Sequence, residues 1–232
     1  MAITWSYSSI KNFQQCPKKY YHLSVAKDVK QPSTTALVYG NEVHKAAENF
    51  IRNGDPIPKK FAYLQDVLDA LQKIDGEKHC ELKLGLAKEG EEYTPCEFFA
   101  KNVWWRGIVD LLIIRGDTAF MIDYKTSKNA KYADTKQLDL LATAIFTHYP
   151  QINKLNSALI FVVSNEFVRR THVRNDSKKY IEPFEYDVTR IEDAMQNGVW
   201  NAVAGPLCGW CPVKTCINYT VKTCINYKEP RR

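Results

Sequence analysis

The chain has 232 residues, enough to bury a full core, and its 45% hydrophobic and 25% charged residues exclude a disordered polymer. Lys+Arg number 32 against Asp+Glu 26, a net charge of +6 that permits a polyanionic ligand without demanding one. No apolar run reaches the length of a membrane span, and Met1-Ala-Ile-Thr-Trp-Ser-Tyr-Ser has neither the basic nor the apolar region of a secretory signal. A cytoplasmic protein without a membrane partner is therefore expected.

Ser8 is placed to cap a short helix carrying Ile10 and Phe13, and Pro17 opens the next helix through Tyr20 and Tyr21. A longer helix over about 37–53, closed by Gly54, turns Val43, Ala47 and Phe50 inward. Leu64, Leu68 and Leu71 recur at helical spacing over 61–74. The character then changes. Strands are expected at 79–87 and 97–101, followed by a hairpin of 103–115 and 118–125 that is apolar on both faces, as in a covered central sheet. A helix over 131–148 carries Leu138, Leu141, Ala142 and Ile145; 157–163 reads as a buried strand, 167–174 as its partner and 187–203 as the last helix. The pattern predicts one α/β domain over 1–232 with a mixed central sheet: a helical part (1–75), a core (76–186) and a C-terminal helix with a cysteine cluster (187–232). Val213-Lys-Thr-Cys-Ile-Asn-Tyr219 recurs as Val221-Lys-Thr-Cys-Ile-Asn-Tyr227, too short a repeat for a solenoid.

The chemistry concentrates in the hairpin. Gly116-Asp117 reads as a two-residue turn, so 115 faces 118, 112 faces 121 and Asp110 faces Asp123, with Cβ atoms roughly 5 Å apart. Lys125, two residues beyond Asp123, points to the same side. Facing carboxylates destabilise a sheet unless a cation lies between them, and Mg²⁺ characteristically takes one or two carboxylates. A structural ion pair of Asp110 with Lys125 would leave Asp123 uncompensated. The trio therefore reads as a divalent-metal site.

An Asp followed thirteen residues later by Asp-x-Lys at a strand end resembles the PD-(D/E)XK nuclease superfamily, and further motifs resemble its RecB-type members with an iron–sulfur cluster. Ser8-Ser9-Ile10, Phe13, Cys16-Pro17 and Tyr20 are similar to their N-terminal signature, and Gly40-x-x-x-His44 to their helix-borne histidine. Gln137-Leu138 is similar to their glutamine motif, and Cys208-Gly-Trp-Cys211-Pro with Cys216 to their C-terminal cysteines. Two departures stand out: Leu141 replaces a common tyrosine, and the last cysteine spacing is shorter than in related clusters. The resemblance implies a restriction-endonuclease-like core with Asp110, Asp123, Lys125 and Gln137 catalytic. Mg²⁺ or Mn²⁺ would be held by Asp110, Asp123, His44 and Glu81, with Glu97 the rival to Glu81. It implies a DNA exonuclease of recombination, replication or phage DNA processing that acts on single strands or ends, with a protein partner such as a helicase or recombination protein. The alternatives are a CRISPR spacer-adaptation nuclease and a catalytically idle iron–sulfur DNA-binding subunit.

Seven cysteines without a secretory signal point to metal or redox chemistry rather than disulfides. Cys208, Cys211 and Cys216 need one or two more thiolates, and Cys16, also next to a proline, is the natural fourth. Four thiolates suit zinc or [4Fe–4S], and the resemblance favours the latter. Cys224 is a competing copy of Cys216, while Cys80 and Cys96 read as small apolar residues. For nucleic acid, Arg169, Arg170, Arg174, Lys178 and Lys179 form one basic run, Lys128, Lys131 and Lys136 another, and Arg231-Arg232 end the chain. Trp104, Trp105 and Tyr132 are placed to stack on bases or to fill the core.

Overall fold

The computed structural model describes residues 3–216 and 218. The chain divides into two compact units, Thr34–Pro183 and the combination of Met1–Ser33 with Phe184–Arg232. The second of these holds α1 (Tyr7–Gln15) and α2 (Pro17–Tyr20). Ser6, not Ser8, caps α1: its hydroxyl accepts from Ser9 N while the Ser9 side chain answers to the Ser6 backbone, a reciprocal box that leaves Ser8 inside the helix. Ile10 and Phe13 are buried and Pro17 occupies the first turn of α2, as the spacing predicts.

The larger unit is built on a six-stranded sheet in the order β2-β1-β3-β4-β5-β6. Its strands are β1 (Glu77–Glu89), β2 (Glu92–Cys96), β3 (Trp105–Arg115), β4 (Thr118–Lys125), β5 (Lys154–Phe161) and β6 (Glu166–Val173). All neighbours are antiparallel except β4 and β5, joined by the crossover helix α5 (Lys136–His148), so the sheet is mixed as expected. One face is covered by α3 (Thr35–Asn53) and α4 (Gln65–Gln72). Val43, Ala47, Ile51, Leu64, Leu68 and Leu71 meet Leu111, Ile113, Ile122, Tyr124 and Ile160 in a single cluster. Full burial of each Leu or Ile contributes roughly 1.5–3 kcal/mol. Eight residues of α5, from Leu138 to Phe146, are buried outside that cluster, and a Cβ on Gly107 would come within 3.0 Å of Leu141.

One backbone feature positions the site. Cys80 belongs to the α3–α4 cluster, whereas Leu84 pairs with Gly107 against α5. Residues four apart in an undisturbed strand share a face. The reversal falls at Glu81, a non-glycine residue with φ +52. The β1–β3 ladder passes from Cys80↔Leu111 to Leu82↔Val109, so Glu81 and Asp110 are the skipped pair and no register is lost.

Four elements depart most from their predicted bounds. Gly90-Glu91 turns the chain between Glu89 and Glu92, so the second strand is 92–96, and 97–101 forms turns instead. The stretch 59–64 is a 3₁₀ turn preceding α4, not a continuous helix with it. α5 starts at Lys136, five residues late, because the Asp134 side chain accepts from Lys136 N and holds a turn before the helix. The last helix, α6 (Ser177–Asn197), begins ten residues before the predicted 187, ends at Asn197 rather than 203, and runs through Pro183 although proline lacks the helix N–H. No helix among the described residues is long and apolar enough to cross a membrane.

Candidate active site

His44, Glu81 and Asp110 converge: one ligand atom from each lies within 4.8 Å of the others, the one such group among the described residues. α3 brings His44 over the middle of β3 and the end of β4. Its Nε2 lies 3.0 Å from Tyr124 O, so Nε2 carries the donated proton and Nδ1 turns inward, 3.3 Å from Asp110 Oδ1. Asp110 Oδ2 accepts from Tyr124 N at 2.7 Å. The backbone of Tyr124 thus fixes the imidazole and the carboxylate together, an anchoring that a sequence motif cannot reveal.

Asp123, Lys125 and Gln137 form a second, adjoining group. Lys125 Nζ stands 2.6 Å from Asp123 Oδ2 and donates to Gln137 Oε1 at 3.1 Å. Asp123 is buried, and apart from that ion pair its Oδ2 has no hydrogen-bond partner.

The electrostatics ask for a cation. Burial, then the charge of Asp110, pushes the Asp123 carboxyl up to about 6, with Lys125 pulling the other way. Burial and then Asp110 also raise Glu81. At His44 burial acts downward, but the hydrogen bond and charge of Asp110, with Asp123 and Glu81 behind it, carry the imidazole upward. Three neighbouring groups therefore bind protons more readily than usual.

The predicted register holds from Arg115↔Thr118 through Leu112↔Met121 to Leu111↔Ile122, and the ladder stops there. Asp110 and Asp123 are not a ladder pair, because the Asp110 carboxylate takes the Tyr124 N–H. Of the four predicted ligands, His44, Glu81 and Asp110 assemble, while Asp123 pairs with Lys125. Glu97 is exposed and outside the group, so Glu81 is the carboxylate that joins His44 and Asp110.

In the other unit, Cys16, Cys208, Cys211 and Cys216 all line one cavity of about 410 Å³. Val203 N donates to Cys16 Sγ at 3.4 Å and Gly205 N to Cys208 Sγ at 3.3 Å. Burial raises the Cys211 thiol, opposed by a backbone hydrogen bond from Val213. Cys224 lies outside the described residues, and Cys80 packs in the core as predicted.

Four members of the predicted basic run on β6 and α6 are engaged within the fold, while Arg169 is exposed, its guanidinium 5.1 Å from the Phe167 ring. Arg174 donates to the carbonyls of Phe146, Tyr149 and Ile152, Arg170 to Thr135 Oγ1, Lys178 pairs with Glu92 and Lys179 with Asp176. Trp104 and Trp105 are buried, at 8% and 1% exposure, so stacking on bases falls away for both, whereas Tyr132 is exposed. Lys128, Lys131 and Lys136 are exposed too, and Arg231-Arg232 lie outside the described residues.

Residues 4–216 match the family model of the PD-(D/E)XK nuclease superfamily. No functionally curated protein matches the sequence. Among solved structures, the crystal structure of SSO0001 aligns with a TM-score of 0.48 at 13% identity, covering 94% of this chain and 87% of that one. A protein from Eubacterium rectale described as "Putative exonuclease" aligns with a TM-score of 0.49 at 12% identity, covering 98% and 90%.

Proposed function

The chain belongs to the PD-(D/E)XK nuclease superfamily, and from that premise we propose a divalent-metal-dependent DNA exonuclease of recombination, replication or phage DNA processing. The observation that carries this reading is the convergence of His44, Glu81 and Asp110 beside the Asp123–Lys125–Gln137 group. An imidazole Nδ1 and two carboxylates suit Mn²⁺ or Mg²⁺, and the Asp123 carboxylate, paired with Lys125, would offer a further oxygen. When bound, such an ion would polarise a phosphoryl oxygen and lower the pKa of water. Lys125 supplies positive charge to the developing phosphorane, Gln137 holds its ammonium in place, and Tyr124 fixes the ligands. DNA ends or single strands are the substrate, with a helicase or recombination protein as the partner class.

The same reading assigns Cys16, Cys208, Cys211 and Cys216 to a [4Fe–4S] cluster that staples the two terminal segments. Two backbone N–H groups already aimed at sulfur support thiolates there. Zinc is the rival. Its roughly 2.3 Å bonds would bring four sulfurs to about 3.8 Å, yet among the described residues no three cysteines gather within 4.8 Å. Anaerobically purified protein should be brown with charge-transfer absorbance; colourless protein carrying zinc would overturn the assignment.

The deciding experiment is digestion of 5′- and 3′-labelled single- and double-stranded DNA with Mg²⁺, Mn²⁺ or EDTA. Asp123→Ala and Lys125→Ala should abolish metal-dependent release of label from the ends. Full activity in both variants would refute the site, and cleavage of circular DNA as fast as linear would refute the exonuclease.

A further inference from the structure

Beyond the skipped pair Glu81 and Asp110, the β1–β3 ladder continues through Lys83↔Ile108 and Gly85↔Arg106. Cross-strand partners share a face. Gly107, between Ile108 and Arg106, faces Leu141 of α5, so Lys83, Ile108 and Arg106 stand on the other face. Lys83 and Ile108 are exposed there. Gly85 lacks a side chain, and the chain leaving β2 crosses over it; a Cβ would lie 2.9 Å from the carbonyls of Cys96 and Glu97. That crossing delivers Phe98 and Phe99 to the same two cations. Arg106 Cζ lies 5.2 and 5.9 Å from the two ring centres, and Lys83 Nζ 6.0 and 5.8 Å. The rings meet edge to face at 4.9 Å, and Phe99 is 75% exposed.

We propose that this strip seats a single-stranded DNA segment leading into the metal centre, with Lys83 and Arg106 on successive phosphates and Phe99 under a base. It rests on the nuclease reading of His44, Glu81 and Asp110, and adds the form of DNA they receive. A strand rise of about 3.3 Å per residue sets Ile108, with its partner Lys83, about 7 Å from Asp110 and Arg106 about 13 Å away. These steps match those between phosphates of an extended single strand. A duplex would have to unstack before offering a base to Phe99, at a cost of a few kcal/mol, whereas a single strand offers one at once. The two cations beside the rings complement the backbone charge.

The test is fluorescence anisotropy of the full-length protein with fluorescein-labelled oligothymidylate and with a blunt duplex, in Ca²⁺. Phe99→Ala should weaken oligothymidylate binding roughly 5- to 150-fold, Phe99→Trp should retain it, and duplex binding should change far less. Replacing Lys83 and Arg106 together by Ala should shallow the salt dependence of log K by about 1.4, ~0.7 for each lost phosphate contact. Circular dichroism checks that each variant is folded. Binding by Phe99→Ala equal to wild type, or equal losses on duplex and single strand, would overturn the strip. Failure of the wild type to cut any DNA would instead refute the nuclease reading, and the anisotropy comparison would still decide the strip.

Discussion

Asp110 and Asp123 leave adjacent strands thirteen residues apart in sequence, yet they are held in different ways. Asp110 accepts a backbone N–H from Tyr124 and lies against His44 with Glu81 close by. Asp123 is sealed in the core, and its partner is Lys125, itself held by Gln137. On the proposed reading the first half would offer lone pairs to a metal; the second couples a buried negative charge to a positive one. The difference originates in β1, where the left-handed turn at Glu81 brings a carboxylate to Asp110.

The largest effects should separate the two halves. Asp110→Asn removes the shared ligand, so both Mn²⁺ binding by calorimetry and cleavage should vanish. Lys125→Ala should lower cleavage at least 100-fold, on the order of losing one transition-state donor, while Mn²⁺ binding persists. Equal loss of Mn²⁺ affinity in both would mean the halves are one site. His44→Ala comes next: Mn²⁺ affinity should fall roughly 10- to 100-fold, and added Mn²⁺ should recover part of the activity. Recovery at saturating metal in Lys125→Ala would break the distinction from the other side.

Much of this centre was legible in the sequence because turn chemistry propagates. Gly116-Asp117 sets the register from 115↔118 inward, and that register holds as far as Leu111↔Ile122. α3 was legible from Val43 and Ala47 at helical spacing and from Gly54 at its end. What failed was the assumption of unbroken alternation. The sign of φ at a glutamate is not written in its side chain, so the reversal at Glu81 and the parting of Asp110 from Asp123 could not be counted out. Likewise proline lacks the helix N–H, yet α6 runs through Pro183. The engagement of the basic run within the fold was hidden for a different reason. Arg174 is a long donor whose three acceptors, the carbonyls of Phe146, Tyr149 and Ile152, are brought to it only by the fold.

Protons should report the same electrostatics in metal-free protein. Asp123 and Glu81 are raised carboxyls, so between the ordinary values near 4 and their raised values the folded state binds more protons than the unfolded chain. Their contribution to stability falls as pH rises through that window. His44, also raised, loses its contribution as pH climbs through its own shifted value. All three act in one direction. Melting temperatures without metal should therefore fall from about pH 4 to above the ordinary histidine value near 6.5, relative to melts in saturating Mn²⁺. Metal binding requires the deprotonated ligands and strengthens as pH rises. A pH-independent difference between the two series would show that these groups are not electrostatically linked to a metal.

The smallest effect concerns Glu81 alone. A side chain in the left-handed region costs about 1–2 kcal/mol, and glycine bears no such cost. Glycine adds unfolded-state entropy that offsets part of the gain. Removing the carboxylate also relieves its repulsion with Asp110. Glu81→Gly should therefore stabilise the metal-free protein by up to about 1 kcal/mol, a rise of roughly 2–4 °C in Tm for a chain of this size, while weakening Mn²⁺ binding. The opposing signs are the point, because a glutamate kept only for packing has no reason to sit in a strained backbone beside another acid. A variant that melts lower and binds Mn²⁺ as tightly as wild type would remove Glu81 from the ligand half and leave His44 and Asp110 to hold the ion.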